Sequence, residues 1–270
     1  MSVVTHNPMK PRTLSGPSLT GTLLAGMLTL GASSLALADT PTPSTDCPPQ
    51  DYAMALRYQQ QSAEIQALQR QSYALATARL AQTLAERPEA NNLAIMTDLD
   101  ETVIDNSALL VRDMQACHDF TRWDTWKTWE QEGHPRLIPG ARAFLDYADA
   151  HDVTIFYVSD RYEENKAGTL ATLDALRLPQ VSDAQVRLLG PSKGERRAAI
   201  EKDYDLVLQL GDSLADFSRD FHHADLASQQ RQVVDQAAHF GDDWIMFPNA
   251  SYGSWSDADL EAWAKPLEAQ

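Results

Sequence analysis

Five short apolar runs constrain this chain most: Leu93–Met96, Val153–Val158, Val186–Leu189, Leu206–Leu210 and Trp244–Phe247. Helix-like stretches separate them, at about 140–150, 163–177 and 192–203. Runs of four to six apolar residues are too short for buried helices and suit strands covered on both faces. Strands alternating with helices predict an α/β fold, a Rossmann-like parallel sheet flanked by helices. Ligands in such sheets gather outside the carboxyl ends of the strands. Four of the runs deliver polar groups there. The first, ending in "TDLDET", gives Asp98 and Asp100, and the second gives Ser159 and Asp160. The third leads to "GPSKGERR", with Lys193 at a helix start, and the fourth to Asp212 and Asp216.

Each residue alone has an ordinary explanation. An Asp after a strand is commonly a turn residue or an N-cap, and a lone Lys is commonly solvated. Their coincidence at one sheet edge is informative. Clustered carboxylates repel and are costly to desolvate. A hard divalent cation with oxygen ligands offsets that cost, which predicts magnesium at Asp98 and Asp100 with Asp212 completing its shell. Asp98 and Asp100, two apart on an extended chain, point to the same side about 6–7 Å apart. One can attack while the other handles a proton.

The remainder of the chain frames this core. The formal net charge of −16 argues against binding a nucleic-acid polymer, which needs a basic face. Lys10 and Arg12 precede an apolar, Gly/Ser/Thr-bearing stretch that ends in Ala36-Leu37-Ala38. This reads as an export signal over 1–38, too short to span a membrane stably. Cleavage leaves 20 basic against 38 acidic residues, or −18. Residues 39–50, "DTPTPSTDCPPQ", read as a linker, and 51–90 as an N-terminal helical extension of one or two amphipathic helices. The core then covers 91–270, with a small helical cap inserted at about 108–138. Trp123, Trp126 and Trp129 recur there at helical spacing, which favours a core-facing stripe over a ligand wall. Cys47 and Cys117 are the only cysteines, and an exported pair can form a disulfide. Nothing in the sequence brings the two together. A homodimer is compatible with the sequence.

The motifs resemble the haloacid dehalogenase (HAD) superfamily: "DLDET" is similar to its DxDxT motif, and "VSDR", "SKGERR" and "GDSLADF" follow in its order. "IMTDLDETVIDNS", "WDTWKTWEQEGHPRLIPGA" and "FPNASYGSW" resemble the bacterial class C acid phosphatases more narrowly. The resemblance spans about Leu93 to Trp255. It implies a magnesium-dependent phosphomonoesterase, with 5′-nucleotides among its substrates. Asp98 would be the nucleophile of a phosphoaspartyl intermediate and Asp100 the acid–base group, with its backbone carbonyl on the metal. Ser159 and Lys193 would hold phosphoryl oxygens, and Asp212 would ligate the metal with Asp216 behind it. Thr102 would orient the loop. Arg161, Trp126 and, above all, Tyr252 would face the substrate, the last by stacking on a nucleobase. The chain departs from the family where Ser159-Asp160 replaces a more usual Thr-Asn, at Ser213, and at Leu109, where an aromatic is common. No lipoprotein signal precedes Cys47, so the sequence favours a soluble periplasmic form over an outer-membrane lipoprotein. The alternative reading is a catalytically weak, phosphoester-binding or storage-type relative; intact Asp98, Asp100, Lys193 and Asp212 weigh against it. Phosphotransferases and phosphonatases share the core motifs, but the Asp two residues after the nucleophile favours phosphate-ester hydrolysis.

Overall fold

The computed structural model of the chain describes Cys47 and residues 52–262. The expected export signal, and all of the expected linker except Cys47, lie outside the described residues. The five apolar runs form one sheet: β1 (Leu93–Thr97), β4 (Thr154–Val158), β5 (Val186–Arg187), β6 (Asp205–Gly211) and β7 (Trp244–Met246). Its order is β5-β4-β1-β6-β7, and every pairing is parallel. The chain moves outward from β1 to β4 and β5, then crosses to β6 on the other side. The switch in direction therefore falls between β1 and β6, where a crevice opens beyond the strand ends.

Both faces of β1 are buried, so its residues alternate between two apolar layers rather than between core and water. Leu93 and Ile95 join one layer with Tyr73, Leu80, Phe144 and Leu145. Ala94 and Met96 join the other with Phe156, Val158 and Ile200. The first layer is covered by α2 (Ala63–Glu86) and α5 (Ala141–Ala150), the second by α7 (Lys193–Ile200). The third apolar run ends early as a strand. The Leu189 amide bonds the Arg161 carbonyl instead of continuing the ladder, and the Leu189 side chain is exposed.

The N-terminal extension is two helices, α1 (Ala53–Gln61) and α2. Ser62 breaks them with an extended backbone, and its hydroxyl caps α2 by accepting from the Ile65 amide at 3.1 Å. Ile65, Gln69, Tyr73, Ala76 and Leu80 form the buried stripe of α2. Leu68 and Leu75, which look equally apolar in sequence, fall off that stripe and are 40% exposed. The Tyr73 hydroxyl donates to the Thr102 carbonyl at 2.7 Å, so α2 props the loop that follows β1. Gly140 makes room for Tyr73: its φ is +103°, and a Cβ there would sit 2.9 Å from the Tyr73 Cβ.

Between β1 and α5 the chain makes its excursion. A short antiparallel pair, β2 (Ile104–Asp105) with β3 (Arg136–Leu137), joins the two ends of it. Inside lie α3 (Ser107–Gln115), a 3₁₀ turn at Phe120–Arg122 and α4 (Trp126–Glu132). Three later helices are α6 (Lys166–Ala175), α7 and α8 (Leu226–Asp235). The tryptophan spacing misleads. Trp123 closes the 3₁₀ turn in a left-handed conformation and lies before α4, so only Trp126 and Trp129 share a helix. Leu109 is fully buried with Leu56, Leu110, Phe120 and Trp126, in a small second core between α1 and the excursion.

Cys47 and Cys117 form a disulfide that ties the start of the described chain to the excursion just beyond α3. The bridge closes a separation of 70 residues. Restricting the unfolded chain by a loop of that size contributes about 2–4 kcal/mol. Reduction, or Cys117→Ser, is therefore expected to lower the melting temperature by roughly 5–15 °C in a thermal scan. An unchanged melting temperature would show that the α1–α3 packing holds the segment unaided.

Candidate active site

The crevice at the strand switch is where the sequence motifs meet. The β1–β6 pairing continues one step past the strand, with the Asp98 amide donating to the Leu210 carbonyl at 2.9 Å. That places Asp98 and Asp212 side by side at the ends of neighbouring strands. A 3₁₀ turn at Leu214–Asp216 brings Asp216 back over Gly211. Only glycine fits at 211, since a Cβ there would collide with the Asp216 carboxylate. The Asp216 Oδ2 accepts from the Ser213 amide at 2.9 Å, which holds the turn. One oxygen from each of Asp98, Asp212 and Asp216 lies within 4.8 Å of the others.

Lys193 answers this charge. A capping box between Ser192 and Glu195 starts α7 and fixes where Lys193 leaves the backbone. Its ammonium donates to Asp98 Oδ1 at 2.6 Å and also to Asp216. Burial alone would lower the Lys193 pKa, but Asp216 and Asp98 more than offset it and the group stays charged. One ammonium does not balance three carboxylates. Burial pushes the Asp98 pKa up, against Lys193, and Asp216 and Asp212 push the same way. Burial, then Asp216 and Glu101, raises Asp212 to about 8. Asp212 is steadied by Asn249 Nδ2 at 2.8 Å and by Thr102 Oγ1 at 3.3 Å. The donor set is wholly oxygen and excessively negative, which fits a hard divalent cation.

Asp100 belongs to a different group of contacts. Its carboxylate accepts from Arg161 Nε at 3.0 Å and from a terminal Arg161 nitrogen at 2.8 Å. It also accepts from Asn106 Nδ2 at 2.9 Å and Ser159 Oγ at 3.0 Å. The side chain of Asp100 thus stands outside the three-carboxylate cluster, oriented by a buried arginine. Ser159 is fully buried; its hydroxyl serves Asp100 and accepts from the Arg161 amide at 3.1 Å. Arg196, one turn along α7 from Lys193, fastens this corner by donating to the carbonyls of Ser159 at 2.6 Å and Leu188 at 3.0 Å.

A cavity of about 740 Å³ runs from these groups toward the excursion. Asp98, Asp100, Arg161, Lys193 and Asp212 line it together with Trp123, Trp126 and Tyr252. The three rings meet edge to face or tilted: Trp123–Tyr252 at 5.3 Å, Trp126–Tyr252 at 5.9 Å and Trp123–Trp126 at 5.3 Å between centroids. Trp129 turns away, donating its Nε1 to Asn106 Oδ1 at 2.8 Å. Leu109, in its separate core, does not line the cavity.

Sequence reasoning passed over Glu101, Asn106, Arg196 and Asn249. Glu101 is the clearest omission. It is 1% exposed, with a left-handed φ of 59°. Its carboxylate accepts from the Asn106 amide at 2.9 Å and from the Tyr252 hydroxyl. Burial, then Asp100, raises its pKa to about 8. A charged residue between two motif positions was the available signal, but its partner lies 151 residues away.

Comparison with known proteins agrees with this geometry. Residues 15–255 match the sequence profile of the HAD superfamily, subfamily IIIB (Acid phosphatase). Among solved structures, the chain is similar to the class C acid phosphatase from Bacillus anthracis with tungstate bound, at 30% identity and a TM-score of 0.74. That match covers 78% of this chain and 88% of the other. A second structure of the class C acid phosphatase from Bacillus anthracis matches at 30% identity, with the same coverage and a TM-score of 0.72. The sequence profile and the structural matches point one way: the chain belongs to subfamily IIIB of the HAD superfamily and is an acid phosphatase, a hydrolase of phosphomonoesters.

Proposed function

We propose that this phosphatase works with magnesium, passes through an aspartyl phosphate on Asp98, and accepts esters whose leaving group carries an aromatic ring, 5′-nucleotides among them. The observation that carries this reading is the single cavity joining Asp98 and Lys193 to the Trp123–Trp126–Tyr252 wall. Asp98 attacks phosphorus, forming an O–P bond as the ester O–P bond breaks. Asp100 delivers a proton to the departing oxygen. It then takes one from the water that cleaves the phosphoaspartate. Lys193 holds phosphoryl oxygens and offsets charge that builds in the transition state. Arg161, Asn106 and Ser159 keep the Asp100 carboxylate turned toward the cavity. Asp98, Asp212 and Asp216 would hold the cation, with the Asp100 carbonyl as a further oxygen. When bound, it supplies Lewis-acid neutralisation of the phosphoryl group. The tungstate bound by the similar Bacillus anthracis protein is a tetrahedral oxyanion, which supports a phosphoryl-sized site here.

A phosphomonoester panel tests the reading, with 5′-nucleotides, nicotinamide mononucleotide, phosphotyrosine and sugar phosphates assayed with and without magnesium. Ring-bearing esters should show the lower KM. A flat profile across the panel would remove the aromatic wall from substrate choice.

We also infer export to the periplasm as a soluble protein. The basic start, apolar stretch and Ala36-Leu37-Ala38 support it, and a disulfide suits an oxidising compartment. No helix among the described residues is long and apolar enough to cross a membrane. Mass spectrometry should find a mature N-terminus near Asp39 and no lipid on Cys47; a diacylglyceryl group there would overturn the soluble form.

A further inference from the structure

Glu101 poses a problem that the reaction does not solve. It is a buried carboxyl group with no salt bridge among the described residues, and a buried polar group needs hydrogen-bond partners. Every group directed at it is a donor: the Asn106 amide, Asn106 Nδ2 at 3.3 Å and the Tyr252 hydroxyl. Glu101 and Asp100 share Asn106, whose Nδ2 also reaches Asp100 Oδ1 at 2.9 Å. Asn106 in turn accepts from Trp129 and Arg161. One buried side chain therefore grips the residue that orients Asp100 and, with its other oxygen, the ring that faces the leaving group.

We propose that Glu101 is a positioning residue for specificity: its carboxylate sets the Tyr252 ring at a fixed distance from the phosphoryl end of the cavity. This rests on the reading that Tyr252 contacts the leaving group. Without the hydroxyl–carboxylate bond, the ring would keep its apolar contacts with Trp123, Trp126 and the second core but lose its polar anchor. Preference for ring-bearing esters would fall even though every aromatic carbon remained.

The test is a double-mutant cycle with Glu101→Met and Tyr252→Phe in the full-length, disulfide-intact protein. It reads kcat/KM for a 5′-nucleotide divided by that for glycerol phosphate. Each single variant should lower this ratio roughly three- to tenfold, through KM for the nucleotide, given what base–aromatic stacking contributes. The double variant should be no worse than the poorer single. Additive losses, or an unchanged ratio, would overturn the proposal. General damage lowers both activities and cancels in the ratio. Should Glu101→Met fail to fold, Tyr252→Phe decides alone, because it removes one oxygen and keeps the ring. A crystal structure of Tyr252→Phe gives a readout that needs no substrate. A ring displaced from its edge-on contact with Trp126 supports the positioning role, and an undisturbed ring refutes it. A wild-type protein indifferent to aromatic leaving groups would instead sink the substrate reading, while the ring position still judges Glu101.

Discussion

Asp98→Asn is expected to reduce phosphate release to background and to leave no phosphate bound covalently to the protein. Asn matches Asp in shape, so packing at the end of β1 is preserved. Lys193 keeps Asp216 as a partner, so the substitution does not strand a buried ammonium. What disappears is the carboxylate oxygen proposed as nucleophile, 2.6 Å from that ammonium. Asp100→Asn is expected to behave differently. Its contacts with Arg161, Asn106 and Ser159 concern orientation and proton transfer. General acid–base help is worth about 10²–10⁴ in rate. That variant should therefore bind substrate, form some phosphoenzyme and turn over slowly. Phosphate release and intact-protein mass spectrometry after a rapid quench measure both outcomes. Normal turnover in Asp98→Asn would move the nucleophile to another residue of the cluster, with Asp212 first to examine.

Removing divalent cations should have the next largest effect, a loss of about 10³-fold or more in rate, since Lewis-acid stabilisation supplies several kcal/mol. Magnesium should restore activity. The same cluster makes the stability effect depend on pH. In the metal-free protein Asp212 has its folded pKa raised to about 8, by burial and then by Asp216 and Glu101. The folded state then binds a proton that the unfolded chain has lost. Metal-free stability should decline as pH rises from the ordinary carboxylate range, near 4, up to about 8. A cation reverses this, because it binds the ionised carboxylates. The gain in melting temperature on adding magnesium should thus be larger at pH 8 than at pH 5. Equal gains at both values would mean that Asp212 is already ionised without the metal.

The sheet and the acidic edge at its strand ends were legible because both signals are local. Each strand announces itself as a short apolar run, and each acid sits directly after one. The crevice follows from chain order, since β1 and β6 are the strands between which direction reverses. The remainder depends on distant contacts that a linear reading does not contain. Leu68 and Leu75 look like Ile65 and Leu80 until the packed face of α2 is known. Trp123 shares the spacing of Trp126 and Trp129, but a left-handed turn removes it from the helix. Leu109 stands where an aromatic side chain would suggest the cavity, and α1 draws it into a separate core instead. Cys47 and Cys117 come together through that same packing. Ser159 and Arg161 were read as facing substrate; both bond Asp100, and Arg161 also lines the cavity, an arrangement of distant contacts that chain order does not contain.

The central place of β1 has a consequence for incomplete chains. Its five residues, all buried, pair with β4 on one side and with β6 on the other. β6 begins only at Asp205. A chain cut before that point keeps β1, β4 and β5 but leaves one edge of β1 with unpaired amides and carbonyls. Such an edge, short, apolar and without a guarding charge inside it, is a template for joining another chain. Partial products of proteolysis or interrupted synthesis should therefore collect as aggregates rather than persist as small soluble folds. The strand that completes the catalytic crevice is also the one that seals the sheet against self-association.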